Sequence, residues 1–275
     1  MEFLTTNVHY NYCTLGYFLN TQRLLGIKGI DLYAMPPHLW ITHLEQEDVT
    51  GLSRKIACYG LRVGALTPEQ HTGRYSLCTL DDDRWHHSLE YFSRCMAAAA
   101  ELGAALVCLH PSGSLRDDPG QVYYETVRRL NELAGQAQSF GIRLAIGSLT
   151  SSVHSHFQTL SQLRRLLEGC AHPNLYAVLD TLCAGLNGES AGDWFDIFGS
   201  RIGYVRLCDG RPGPTRMVWG QGVLPLGHIL DELRCWDYKG PVGLAVDTPF
   251  YFNDPAEVDR RNIQAVSAAL GGVNL

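Results

Sequence analysis

The sequence predicts a single-domain (β/α)8 barrel, an α/β fold of the TIM type, on three observations. The chain has 275 residues, close to the ~250 that one such barrel takes. A βα pattern recurs along its whole length, and its apolar runs are near-continuous rather than alternating, as strands covered on both faces must be.

The pattern is a helix-period segment, a glycine near its end, then a short apolar run closing on a polar residue. An opening strand is expected near Val8 to Tyr12. Leu25-Gly26 then leads into Gly29-Ile30-Asp31-Leu32, and Tyr59-Gly60 into Leu61 to Leu66. Leu102-Gly103 precedes Ala105 to His110, and Phe140-Gly141 precedes Ile142 to Ile146. His172-Pro173 introduces Leu175 to Asp180, Phe198-Gly199 introduces Ile202 to Leu207, and Tyr238-Lys239-Gly240 introduces Val242 to Asp247. Between them, helix periodicity covers Asp82 to Leu102, Gln121 to Phe140, Leu160 to Cys170, Leu226 to Trp236 and Pro255 to Leu270. Eight alternations favour a closed barrel over an open doubly wound sheet, and no G-x-G-x-x-G follows the first strand. Residues 1–275 read as one domain without linker or low-complexity tract.

Composition narrows the function. A net charge of −6 and a pI near 6.0 oppose a phosphate backbone, which argues against nucleic acid as a partner. No run of 18 apolar residues suggests a membrane span, and Met1 to Asn7 lacks the basic start of a signal peptide. The chain reads as cytoplasmic. Its nine cysteines have no C-x-x-C or zinc-finger spacing, which fits buried free thiols in a reducing compartment. Cys108 and Cys208 fall in apolar runs and read as core.

Barrel chemistry sits at the C-terminal strand ends. The polar residues there are Asp31, Thr67 and Glu69, His110, Gly147 with Ser148, Asp180, Arg206 with Asp209 and Arg211, and Asp247. Carboxylates, a histidine and arginines around one mouth suit a polyhydroxylated or anionic ligand, although a structural barrel also caps strands with Asp. His154-Ser155-His156 has the look of a metal pair but no third ligand nearby, and reads as a solvated loop. His86-His87 reads as a solvated helix face. Pro111 to Ser114 lacks the rest of a phosphate loop.

Taken together, several segments resemble the xylose isomerase-like barrels, and within them the sugar 3-epimerases, most closely fructoselysine 3-epimerase. They include Leu25 to Leu32, Thr67-Pro68-Glu69, Leu80 to Arg84, Gly141 to Ile146, Val178 to Thr181 and Gly220 to Leu226. The resemblance implies a manganese or magnesium ion held by Glu, Asp, His and Glu from strands five to eight, the glutamates moving a proton beside a metal-polarised carbonyl. This sequence departs from that set. The strand-five glutamate position holds Gly147, the strand-seven histidine position Arg206, the strand-eight glutamate position Asp247, and a further loop histidine position Arg216; Asp180 is kept.

The resemblance therefore implies a degenerate metal site, with Asp180 and Asp247 as residual ligands and no divalent metal carried as purified. Asp247 is the expected catalytic base, and Glu69, His110, Arg206, Arg211 and Arg216 the expected substrate contacts. Replacing Gly147 by Glu, Arg206 by His and Asp247 by Glu is expected to restore metal affinity, with Arg216→His as a fourth change if needed. The implied partner is a small-molecule sugar or sugar phosphate, and related barrels allow a homodimer. Three functions stay open: an isomerase or epimerase of weak or no metal dependence, a sugar- or anion-binding protein derived from such an enzyme, and, least favoured, an abasic-site nuclease on the same fold.

Overall fold

In the computed structural model, which describes residues 1–275 apart from 44–45, 71–72, 149–154, 214 and 274, eight parallel strands close into one barrel. They are β1 (Glu2–Thr6), β2 (Gly29–Ala34), β3 (Arg62–Pro68), β4 (Leu106–Leu109), β5 (Arg143–Gly147), β6 (Leu175–Asp180), β7 (Ile202–Leu207) and β8 (Pro241–Leu244). Each pairs with its neighbours in sequence, and β8 closes onto β1 with Pro241 opposite Glu2 and Leu244 opposite Thr5.

Helices α1 (Leu15–Leu24), α2 (Gln46–Cys58), α3 (Asp82–Glu101), α4 (Pro119–Ser139), α5 (Leu160–Gly169), α6 (Thr181–Leu186), α7 (Ala191–Phe198), α8 (Leu226–Cys235) and α9 (Pro255–Ala269) lie between and after the strands. Their starts follow capping chemistry. Thr14, Asp81, Asp118, Thr159, Ser190 and Asp254 each accept a backbone N–H of the first turn, satisfying donors that the helix itself leaves free. Among the described residues no helix is long and apolar enough to cross a membrane.

Two cores result from the alternation of the strands. A small cluster of Leu4, Ala65, Leu106, Cys108, Ala145, Val178 and Tyr204 fills the barrel, where an eight-stranded interior has room only for side chains. The larger cluster packs the outward strand residues against the helices. Gly243 belongs to the inner arrangement, because a Cβ there would overlap the Tyr204 hydroxyl.

The first strand departs from expectation. It is Glu2–Thr6, and Val8–Tyr10 forms a 3-10 turn. The apolar look of that turn serves packing rather than a sheet. Tyr10 is buried and donates to Asp259 Oδ2 at 2.7 Å, while His9 Nε2 lies 3.0 Å from Asp259 Oδ1. Gln22 donates to the same carboxylate at 2.6 Å. This buried network clips the C-terminal helix to the start of the chain.

All nine cysteines are free, and Cys108 and Cys208 are buried as expected. His86 and His87 are exposed on α3, each with its Nδ1 on a carbonyl four residues back. His154 lies outside the described residues; His156 Nε2 is 3.0 Å from the Ser114 carbonyl, a loop contact rather than a ligand position.

Candidate active site

A cavity of about 390 Å³ opens at the C-terminal mouth of the barrel, within the ~300–1,000 Å³ of small-molecule sites. Among the expected site residues, Glu69, His110, Arg206, Arg216 and Asp247 line it. Arg211 does not: it stands exposed in the loop after β7, and its charge is spent on solvent. Asp180 is fully buried behind the arginines rather than on the cavity wall. Asp209 is also withdrawn. Its carboxylate accepts the N–H groups of Gly210, Gly220, Gly222 and Leu224 at 2.7–3.1 Å, and a Cβ on Gly222 would overlap it. Asp209 thus folds the loop that carries Arg216.

That loop includes a short antiparallel ribbon, Asp209–Gly210 against Arg216–Met217, which brings Arg216 across the mouth. Its guanidinium forks between two carboxylates. Nε and Nη2 donate to Asp180 Oδ2 at 3.2 and 2.6 Å, and Nη1 donates to Asp247 Oδ2 at 2.6 Å. The Arg216 backbone N–H takes Asp247 Oδ1 at 2.8 Å. Asp180 Oδ1 meanwhile caps α6 by accepting Leu182 and Cys183 N–H at 3.1 Å each. Both residual carboxylates are therefore committed within the protein.

Arg206 ends β7 on the same side. It lies 3.6 Å from Asp180 Oδ2, and its Nη1 is 3.0 Å from His110 Nε2. A guanidinium only donates, so His110 Nε2 is the acceptor in this contact. Gln70 holds the His110 backbone from both sides, at 2.8 and 2.9 Å. His110 also occupies the space facing Gly147: a Cβ on Gly147 would sit 3.2 Å from His110 Nδ1 and 3.4 Å from Val178 Cβ. His110 fills volume that a longer side chain at position 147 would need.

Deeper in the cavity, Asp31 is buried. It accepts from the Tyr204 hydroxyl at 2.7 Å and from Thr67 at 2.9 and 3.1 Å. Tyr204 was not foreseen, although it precedes Arg206 by two residues and so points to the same side of β7. Tyr33, Asn11 and Phe252 also line the cavity without having been foreseen.

Burial and charge set the ionisation of the two buried aspartates in opposite directions. Burial raises the Asp31 carboxyl above the ordinary carboxylate range, against the opposing pull of Arg206, Tyr204 and Thr67. Burial also disfavours ionised Asp180, but Arg216 and Arg206 outweigh it and hold that carboxyl below the ordinary range. Burial likewise disfavours the Arg216 cation, yet Asp180 and Asp247 keep it protonated far beyond its ordinary value.

These directions fix a pH dependence. Asp31 binds its proton more tightly folded than unfolded, so stability rises as pH falls through its raised value toward ~3.9. Asp180 stabilises above ~3.9 and loses that contribution only as pH falls through its depressed value. Between neutral and mildly acidic pH, Asp31 is thus the one of the two that acts. The stability of the wild type relative to Asp31→Asn should shift in the wild type's favour as pH is lowered over that range, read from urea midpoints. Parallel curves for the two proteins would contradict the assignment.

A family model described as a xylose isomerase-like TIM barrel matches residues 22–265. The chain belongs to the xylose isomerase-like TIM barrel family. A Streptomyces coelicolor protein that carries a provisional hydroxypyruvate isomerase name is 23% identical over 217 residues, covering 73% of this chain and 74% of that one. A xylose isomerase domain protein from Alicyclobacillus acidocaldarius has a similar structure, with a TM-score of 0.79 at 22% identity over 99% of this chain and 100% of that one. The 3-keto-D-glucoside 4-epimerase of E. coli gives a TM-score of 0.80 at 15% identity over 98% and 99%. The membership accounts for the barrel.

Proposed function

We propose that this xylose isomerase-like barrel moves a proton beside the carbonyl of an uncharged sugar, with the Arg206 and Arg216 guanidiniums in the role a divalent cation plays in the family. The observation that carries this reading is the Arg216 fork between Asp180 and Asp247.

A divalent metal does not fit the residues present. Asp180 spends one oxygen on the α6 cap and the other on Arg216, and Asp247 is bonded by Arg216 at both oxygens. An ion there would face two fixed guanidiniums at a cost on the order of several kcal/mol, even at an effective dielectric of ~20. Guanidiniums aimed at a developing oxyanion supply part of what the metal would. His110 holds Arg206 and so acts as a positioning residue.

Asp247, partly exposed in the cavity wall, is the proton-transfer group. Inversion at a carbon requires a base on each face, and the strand-five position offers none because it is Gly147. Transfer between adjacent carbons on one face is therefore favoured over epimerisation. Charge supports a neutral substrate. The two guanidiniums are matched by Asp180 and Asp247, and Glu69 and Asp31 add acidic groups to the wall, which disfavours a phosphate. A homodimer and residence in the cytoplasm accord with this reading.

A second reading, a sugar-binding protein without chemistry, is favoured by one observation: both Asp247 oxygens already accept hydrogen bonds from Arg216, so the carboxylate is engaged within the protein. Proton exchange separates the two. Chelator-treated protein in D2O is expected to place deuterium next to the carbonyl of at least one of the uncharged ketoses D-fructose, D-psicose, D-tagatose or L-ribulose by NMR. Asp247→Asn should lower that rate by ~10²-fold or more. Saturable binding without any exchange would establish the second reading.

A further inference from the structure

Beside the mouth, between the β1–α1 connection and α2, a second cavity of about 700 Å³ is lined by Tyr12, Trp40, Asp48 and Lys55 among others. Two features join it to the first. Asn11 lines both cavities, and Tyr12 in the wall of the second rests against Phe252 in the wall of the first, with ring centroids 5.6 Å apart.

The second cavity is not needed for the fold. Tyr12 is 83% exposed and Trp40 49% exposed, so neither ring is consumed by the core. His38, in the same wall, is committed: its Nδ1 is 2.9 Å from Asn7 Nδ2 and its Nε2 2.9 Å from the Cys13 carbonyl. Asn11 is the exception, since its Oδ1 is buried with no hydrogen-bond partner among the described residues. A buried amide oxygen without a donor is destabilising, a deficit that a ligand hydroxyl would relieve at this junction.

We infer that the second cavity is a subsite for a pyranosyl substituent, so that the protein takes a sugar carrying a second sugar unit, the reacting unit in the barrel mouth and the other against Trp40 and Tyr12. The inference rests on the sugar reading of the mouth. Aromatic faces with hydrogen-bonding groups beside them suit a ring with one apolar face and a rim of hydroxyls. The opposite charges of Lys55 and Asp48 favour an uncharged substituent over an anionic one. Asn11 sits where the link between the two units would pass.

The test compares binding of D-fructose with that of four glucosyl-fructoses, palatinose, leucrose, maltulose and turanose, by calorimetry on the full-length protein. At least one disaccharide is expected to bind ten times more tightly than fructose or better. Trp40→Ala should cut the ratio of disaccharide to fructose affinity about tenfold, Trp40→Phe should largely keep it, and Asn11→Ala should lower it. Trp40 is half exposed, so its truncation spares the core, and a thermal melt confirms folding. Disaccharides that bind no better than fructose, or a ratio indifferent to Trp40→Ala, would overturn the subsite. Failure of the catalytic reading looks different: disaccharide binding would persist with its Trp40 dependence while no deuterium enters any sugar.

Discussion

Replacing Arg216 by Met should destabilise the protein by about 3–5 kcal/mol, because it strands buried Asp180 and leaves Asp247 without its side-chain donor. The loss should appear as a lower urea midpoint at unchanged slope. Lysine is no substitute here. One ammonium cannot span both carboxylates as the planar fork does, so Arg216→Lys should recover only part of the loss. Asp180→Asn removes the charge that Arg216 satisfies, and the double variant Asp180→Asn/Arg216→Met should therefore lose less than the sum of the two singles. A cost for Arg216→Met below about 1 kcal/mol, the range of exposed ion pairs, would mean that the fork is a surface contact.

Introducing metal ligands at this mouth requires Arg216 to leave the carboxylates first. Gly147→Glu, Arg206→His and Asp247→Glu leave Arg216 on Asp180, so these three changes should yield no metal affinity. Adding Arg216→His frees the carboxylates and should give manganese binding at least a hundredfold tighter, read by calorimetry. Gly147→Glu alone should be harmful. Its Cβ would press on His110 at 3.2 Å and on Val178 at 3.4 Å, an overpacking cost of about 1–3 kcal/mol. His110 cannot give way while Arg206 holds its Nε2. The same glycine change should be better tolerated once Arg206→His releases that ring.

Much of the barrel was legible because βα units announce themselves. The run Ala105 to His110 reads as a strand from composition alone, and β4 is found at Leu106–Leu109 within it, buried on both faces. The strand Leu175–Asp180 and the helix start at Leu160 coincide with the pattern. The first strand escaped because Glu2 to Thr6 has only two apolar residues, whereas the aromatic turn at Val8 to Tyr10 imitates a strand. Which residues stand at strand ends follows from the period of the sheet, so Asp180 and Arg206 were found. Where they point does not. Asp180 spends its lone pairs on a helix cap and on a guanidinium 36 residues away, a partnership that exists only once the ribbon after β7 has folded. Arg211 and Arg216 read alike in the sequence, yet the ribbon register sends one to solvent and the other into the mouth.

Titration of manganese into chelator-treated wild-type protein reads directly whether the Arg216 guanidinium holds the place that a divalent cation would take between Asp180 and Asp247. With Asp180 and Asp247 engaged by Arg216, no stoichiometric binding tighter than about 1 mM, some 4 kcal/mol, and no change in thermal stability on adding the metal are expected. One manganese bound per chain at micromolar affinity, and lost in Asp180→Asn, would contradict it.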